Sequence, residues 1–184
     1  MKPTSLGRLG VYSAYTSFLA IAVTAYRVGF APAGPVTTLK SAVPAALVVT
    51  AALAQYYALL FTQSTTAFAE LSRLRRACKE RGEKPPVLSD VKYGSSKTDL
   101  VRAADRCMGN YLEQLLPFLV ALAAHAAFVS ANAAAVVGWL WLVFRLYYPL
   151  VYSRPFPGLL ISTVPAYWCV WYLLGHAMHA AAAM

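Results

Sequence analysis

The sequence has little charge for its length, and acidic residues are especially few. Only 12% of the 184 residues are charged, with 7 acidic and 16 basic side chains, whereas 59% are hydrophobic. The mean hydropathy is +0.53. Because a soluble domain of this size needs a more polar surface, the composition excludes an ordinary soluble fold and favours an integral membrane protein.

Cysteines are also few, and they are not paired in the sequence. Cys78, Cys107 and Cys169 are far apart, and none belongs to a Cys-x-x-Cys motif or a Cys/His cluster. A structural metal site or a disulfide framework needs closer spacings. We therefore expect structural or incidental thiols and no bound metal.

The positive charge is concentrated in one region. Ten of the 16 basic residues lie between Arg73 and Arg106. In a membrane protein, such a cluster is typical of the side that faces the cytoplasm, matrix or stroma. We therefore expect membrane lipids and no nucleic acid as partners, and we place 73–106 on the inner side of an endoplasmic reticulum, mitochondrial or plastid membrane.

The apolar residues predict an all-α fold, namely an integral membrane helical bundle. A helical run from about 41 to 79 is apolar in its first half and charged in its second, which indicates a helix that extends beyond the membrane. The region 80–99 is rich in glycine and proline, which predicts an irregular loop. The apolar segments are 11–26, 42–61, 99–130, 133–152 and 157–179.

These segments divide the chain into two parts. Residues 41–184 contain four of them and form the predicted four-helix domain. Residues 1–40 form an N-terminal extension with one predicted helix, whose apolar segment also contains serines and threonines. This extra helix either spans the membrane or lies at its surface.

Polar side chains continue into the membrane along one face of the third segment. At 3.6 residues per turn, Arg102, Arg106, Asn110 and Glu113 fall near one face. The fourth segment carries a second polar pattern, Arg145-x-x-Tyr148-x-x-x-Tyr152. A carboxylate in the membrane needs a partner or water, and the similar depth of Glu113 and Arg145 predicts an ion pair between them. Together the two faces either bind an anionic ligand or satisfy one another between packed helices.

These two patterns resemble the signatures of the MAPEG family, the membrane-associated proteins in eicosanoid and glutathione metabolism. The first is Arg106-x-x-x-Asn110-x-x-Glu113-x-x-x-Pro117-Phe118, and the second is the Arg145 pattern. The resemblance covers about 42–180, and the loop at 82–90 is similar to that of microsomal glutathione transferase type 3-like members.

The resemblance implies four-helix subunits that assemble as a homotrimer, with glutathione held between neighbouring subunits near the inner surface. It also implies the roles of individual residues. Arg145 and Arg102 would be structural partners of the site. The residues that would contact glutathione are Arg106, Asn110, Glu113, Tyr148 and Tyr152.

The resemblance is incomplete at the residue that activates the thiol. Family members carry an arginine about two turns after the second tyrosine, where it stabilises the glutathione thiolate. This chain has Leu159 in that neighbourhood, and Arg154 is the nearest cation. Arg154 is therefore the one weak candidate for a catalytic residue. The histidines, His125, His176 and His179, are distant from the site in sequence and are expected to be structural or solvated.

Three functions are compatible with these observations. The first is a glutathione-dependent transferase or peroxidase that acts on lipophilic electrophiles. The second is a catalytically weak or inactive accessory subunit of a larger respiratory or photosynthetic membrane complex, which the leucine at 159 and the extension 1–40 favour. The third, a small transporter or channel, has only the polar stripe in its favour.

Overall fold

The computed structural model describes residues 35–94, 98–152 and 158–184, and all regular structure within these ranges is helical. The predicted first span, 11–26, lies outside the described residues. The division of the chain at residue 40 stays a prediction. The helices are α1 (Leu39–Arg81), α2 (Leu88–Lys92), α3 (Asp99–Phe128), α4 (Ala131–Leu146), α5 (Tyr148–Tyr152) and α6 (Leu160–Ala182).

The long helix α1 confirms the predicted helical run, and both of its ends are capped. At its start the amide of Thr38 donates to the hydroxyl of Ser41, and the amide of Ser41 donates to the hydroxyl of Thr38. This reciprocal pair supplies side-chain acceptors to two amides at the start of the helix. At its end Gly82 has a φ of +68°, and the amide of Glu83 donates to the carbonyl of Cys78 at 2.9 Å. A glycine at this position ends the helix without backbone strain.

Two helices in the described part of the chain are long and apolar enough to cross a membrane, α1 and α3. They correspond to the predicted spans at 42–61 and 99–130. The helix α4 is also apolar but has only 16 residues. The helix α6 has 23 residues and carries histidines and tyrosines among its apolar side chains.

The described residues form two compact units, and the first contains 35–53, 113–152 and 158–184. In its core the ring of Phe118 stacks on that of Trp141, with 3.9 Å between the centroids and 2° between the planes. Gly138 in α4 permits a close approach, since a Cβ there would lie 2.6 Å from Cγ1 of Val48. The helices α4 and α6 pack against each other, and α5 contacts both.

The predicted fourth span, 133–152, is wrong in one respect, because the helix is interrupted. The helix α4 ends at Leu146, and Tyr147 has φ −94° and ψ 2°. A separate short helix, α5, then contains Tyr148 and Tyr152. The cause is Pro149, which cannot donate a backbone hydrogen bond to the carbonyl four residues earlier.

The second compact unit contains residues 54–94 and 98–112. The prediction of an irregular loop at 80–99 is wrong here, because α2 lies within it. The amide of Val87 donates to the Asp90 carboxylate at 2.9 Å. The fully buried Val91 packs with Leu71 and Val101. Tertiary packing therefore stabilises a helix that is too short to be stable alone.

The charged half of α1 also belongs to this second unit. Arg73 donates two hydrogen bonds to the Glu70 carboxylate, at 2.9 Å from Nε and 2.6 Å from Nη2. Because these bonds favour the ionised form, they lower the pKa of Glu70 below its usual range. Glu70 therefore stays charged at neutral pH beyond the apolar part of the helix.

Candidate functional site

The helix α3 carries the first set of predicted glutathione contacts. It continues without a break from Asp99 to Phe128, so Arg106, Asn110 and Glu113 lie on one continuous helix at the predicted spacing. In the single chain the side chains of Arg106 and Glu113 are exposed, whereas Asn110 is buried. Guanidinium and amide groups are suited to bind carboxylates, because both supply N–H donors.

Arg102 lies one turn before Arg106 and has a surface partner. Its Nη2 atom donates to Oδ1 of Asp99 at 2.6 Å, and both side chains are exposed. An exposed pair of this kind contributes little to stability. It does hold the guanidinium of Arg102 near the first turn of α3.

Arg145 lies in the last turn of α4, where a cation interacts favourably with the helix dipole. Its side chain is only 1% exposed. The guanidinium carbon lies 4.9 Å from the centroid of the Tyr148 ring and 5.8 Å from that of Trp141. These distances are within the range of cation–π attraction, so two aromatic faces help to accommodate the buried charge.

The predicted ion pair between Glu113 and Arg145 is not formed in the described part of the chain. Glu113 is exposed, whereas Arg145 is buried beside Tyr148. Similar depth was the basis of the prediction, but depth does not determine which way a side chain points around its helix axis. Arg145 is therefore enclosed by the rings of Tyr148 and Trp141, whereas Glu113 remains accessible.

The short helix α5 presents the two predicted tyrosines together. The ring centroids of Tyr148 and Tyr152 are 6.0 Å apart, and their planes are inclined by 30°. Tyr148 is buried, and Tyr152 is partly exposed. A spacing of four residues places both rings on one side of the helix, as the sequence pattern predicts. Their hydroxyl groups are hydrogen-bond donors that can serve a thiolate or a carboxylate.

Two further side chains that the motifs do not include connect the end of α4 to the start of α6. The hydroxyl of Tyr147 donates to the carbonyl of Ile161 at 2.9 Å. The hydroxyl of the fully buried Ser162 donates to the carbonyl of Phe144 at 2.6 Å. Pro149 is the sequence signal that could have revealed them, since it interrupts the helix at this point.

Of the weak catalytic candidate Arg154 and the residue Leu159, which stands where the family arginine is expected, only Leu159 is within the described ranges. Arg154 lies outside them. Leu159 directly precedes α6 and is partly buried. Its side chain has no group that could stabilise a thiolate.

Two of the three histidines, His125 and His176, lie at the other end of α4. Nδ1 of the buried His125 is 3.3 Å from the carbonyl oxygen of Ser130, the residue that caps the start of α4. Its ring also lies near those of Tyr172 and His176, with centroids 5.9 and 6.0 Å away. The start of α4 and Arg145 are about 21 Å apart along the helix axis. The histidine cluster is therefore separate from the candidate site.

One cleft in the described ranges lies away from the motifs. These ranges contain no group of three or more His, Cys, Asp or Glu placed to hold a metal ion. An open cleft of about 680 Å³ lies in the second unit, between the end of α1 and the loop that leads into α2. None of its lining residues belongs to the two motifs.

Comparison with known proteins assigns the chain to a family. Searches of curated proteins and of solved structures return no match. A family model described as the MAPEG family matches residues 8–179. The match begins well before residue 42, where the resemblance of the motifs begins. Since it covers most of the chain, including both motifs, this helical membrane protein belongs to the MAPEG family, whose members use glutathione.

Proposed function

We propose that this protein binds glutathione and transfers it to lipophilic electrophiles, or uses it as a peroxidase to reduce lipophilic hydroperoxides. Family membership and the arrangement of Arg145, Tyr148 and Tyr152 support the proposal, because a buried cation and two neighbouring phenols lie together. Phenol donors beside a buried guanidinium are suited to an anionic ligand at the edge of a membrane, with Arg145 as the structural partner. The glutathione contacts would be Arg106, Asn110, Glu113, Tyr148 and Tyr152.

The proposed transferase chemistry requires the glutathione thiolate, since only that form is strongly nucleophilic. The thiolate attacks an electrophilic carbon, a C–S bond forms, and the leaving group departs with its electron pair. The thiol proton passes to water. With a hydroperoxide, the thiolate attacks the peroxide oxygen and releases an alcohol, and a second glutathione reduces the resulting sulfenic acid to the disulfide with loss of water.

The assembly and the membrane orientation proposed for this chemistry are those expected from the sequence. The functional unit is a homotrimer of type 3-like subunits, each with a four-helix core. The basic region 73–106 faces the cytoplasm, matrix or stroma, and the membrane belongs to the endoplasmic reticulum, a mitochondrion or a plastid. Electrophiles reach the site through the bilayer, because they partition into it from water.

Glutathione binding and turnover test the proposal separately. Protein purified in mild detergent is titrated with glutathione in a calorimeter, and conjugation of 1-chloro-2,4-dinitrobenzene and reduction of cumene hydroperoxide are then assayed. Binding with either reaction is the expected result. Binding without turnover would favour the accessory-subunit function, and the absence of binding would reject both the enzyme and its site.

Arg106 provides the sharpest mutational test of the site. We predict that Arg106→Ala weakens glutathione affinity, because a charge-assisted hydrogen bond is worth about 1.5–3 kcal/mol. Arg76→Ala is the matched control, since Arg76 is also an exposed arginine of the basic region but is not in either motif. Equal affinity in the wild type and the Arg106→Ala variant would remove Arg106 from the site.

A further inference from the structure

Two prolines remove backbone donors where α4 and α6 approach each other. Pro149 follows Arg145 by four residues, and Pro165 follows Ile161 by four residues within α6. A proline has no N–H group, so neither can donate the usual helical hydrogen bond to the carbonyl four residues before it. The carbonyls of Arg145 and Ile161 therefore need other donors, since a buried carbonyl without one is unfavourable.

Tyr147 supplies a donor to both of these carbonyls. Its backbone N–H donates to the carbonyl of Arg145. Its hydroxyl donates to the carbonyl of Ile161 at 2.9 Å. One residue between α4 and α5 thus replaces the hydrogen bonds that Pro149 and Pro165 remove.

Ser162 supplies a second connection in the opposite direction. Its hydroxyl, on α6, donates to the carbonyl of Phe144 on α4 at 2.6 Å, and its side chain is fully buried. Tyr147 and Ser162 therefore cross-link the same two helix ends, each reaching the backbone of the other helix. We refer to these two residues as the latch.

We propose that the latch positions α5, so that Tyr147 and Ser162 are positioning residues for the glutathione site. This inference rests on the proposed function, in which Tyr148 and Tyr152 contact glutathione. These tyrosines are the first and last residues of α5, which begins directly after Tyr147 and, with five residues, is too short to hold its own orientation. Displacement of a ligand-binding group by about 1 Å is enough to weaken its contact strongly.

Substitutions in the latch test this role through glutathione affinity. Ser162→Ala and Tyr147→Phe each remove one hydroxyl, and each is expected to raise the Kd for glutathione about tenfold. Ser162→Thr keeps a hydroxyl and is expected to restore most of the affinity. Thr163→Val is the matched control, because the hydroxyl of Thr163 donates locally, to the carbonyl of Leu159 just before α6 at 3.1 Å, and does not connect α6 to α4.

Repeating the Ser162→Ala substitution in a variant without the two phenol hydroxyls separates positioning of α5 from general destabilisation of the protein. In a variant that carries both Tyr148→Phe and Tyr152→Phe, the phenol hydroxyls that the latch positions are absent. Ser162→Ala is expected to change the Kd in this background by less than about twofold. A tenfold change in both backgrounds would overturn the positioning role, and so would an unchanged Kd after Ser162→Ala in the wild-type background.

Hydrogen–deuterium exchange keeps the latch testable if the wild type does not bind glutathione. That result would reject the proposed function, whereas the latch would still be expected to slow amide exchange at 147–152. Ser162→Ala and Tyr147→Phe should each accelerate this exchange, and Thr163→Val should not. Unchanged exchange in both latch variants would overturn the latch as well. The same measurement shows whether each variant is folded elsewhere.

Discussion

At the scale of single residues, Gly138 is a position where one methyl group matters. A Cβ at this position would lie 2.6 Å from Cγ1 of Val48 and 3.1 Å from Cδ1 of Leu122. Valine is branched at Cβ and cannot easily turn away. We predict that Gly138→Ala destabilises the protein by about 1–3 kcal/mol, measured by thermal unfolding in detergent.

Gly109→Ala is the control for this substitution. A Cβ at Gly109 would meet nothing within 4 Å, and this glycine also lies inside a helix. Alanine is favoured over glycine in helices by about 0.5–1 kcal/mol, so this variant should be at least as stable as the wild type. If both variants unfold at the same temperature, Gly138 does not mark a tight contact.

Arg145 offers a second test at this scale, because its surroundings are specific to a planar cation. The guanidinium carbon lies 4.9 Å from the Tyr148 ring centroid. We predict that Arg145→Lys lowers stability by about 1–2 kcal/mol in thermal unfolding, since an ammonium group stacks less well on an aromatic face. The exposed Arg102 gives the comparison, and Arg102→Lys should change stability by less than about 0.5 kcal/mol. Equal effects of the two substitutions would contradict the role of stacking.

The sequence predicted the shared face of Arg145 and Tyr148 but not the orientation of Glu113. Residues three apart on a helix are neighbours whatever the surroundings, so that part follows from helix geometry alone. Pairing across two helices also depends on the rotation of each helix about its axis. That rotation is determined by packing contacts such as the stack of Phe118 on Trp141, which no spacing reveals.

At the scale of helices, α2 shows how burial overrides local propensity. Its five residues lie in a region rich in proline and glycine, and Val91 is fully buried with Leu71 and Val101. We predict that Val91→Ala destabilises this segment by about 1–3 kcal/mol, because it leaves a cavity in a small cluster. Limited proteolysis measures this effect, and cleavage within 82–94 is expected to be faster in the variant than in the wild type.

Val87→Ala provides the matched comparison for α2. The side chain of Val87 is 52% exposed, so its truncation should leave the cleavage rate nearly unchanged. Equal sensitivity of the two variants would show that burial of Val91 does not stabilise the helix. Local sequence could not predict α2, since the stabilising partners Leu71 and Val101 lie at least ten residues away. Pro149 marks the interruption after α4, but a proline alone did not make it predictable, because Pro117 and Pro165 lie inside continuous helices.

At the scale of the whole molecule, α1 leaves much of its apolar surface uncovered. Only 11% of its most apolar stretch is buried, against 39% in α3. Large exposed side chains along it include Leu47, Tyr57 and Phe61. In a membrane such a surface contacts lipid or another helix, and subunit association would cover part of it.

We predict that the purified protein is a homotrimer. Native mass spectrometry in a mild detergent should give a complex of three chains of 19.9 kDa each. The physical reason is the exposed apolar surface, together with the family resemblance of the two motifs. Recovery with different polypeptides in fixed proportion would instead support the accessory-subunit function, and a stable monomer would contradict both assemblies.

Because the hydroxyl of Tyr147 replaces the hydrogen bond that Pro165 removes, substitutions at these two positions are not expected to have independent effects. Tyr147 is needed at Ile161 because Pro165 lacks a donor, so the effect of each residue depends on the other. Replacing Pro165 by alanine would return a helical N–H to Ile161 and make the phenol hydroxyl dispensable there. Such positions are thermodynamically coupled, and their effects are not additive. A scan of single substitutions would therefore misjudge the contributions of Tyr147 and Pro165, because the hydrogen bonding of the Ile161 carbonyl depends on the two residues together.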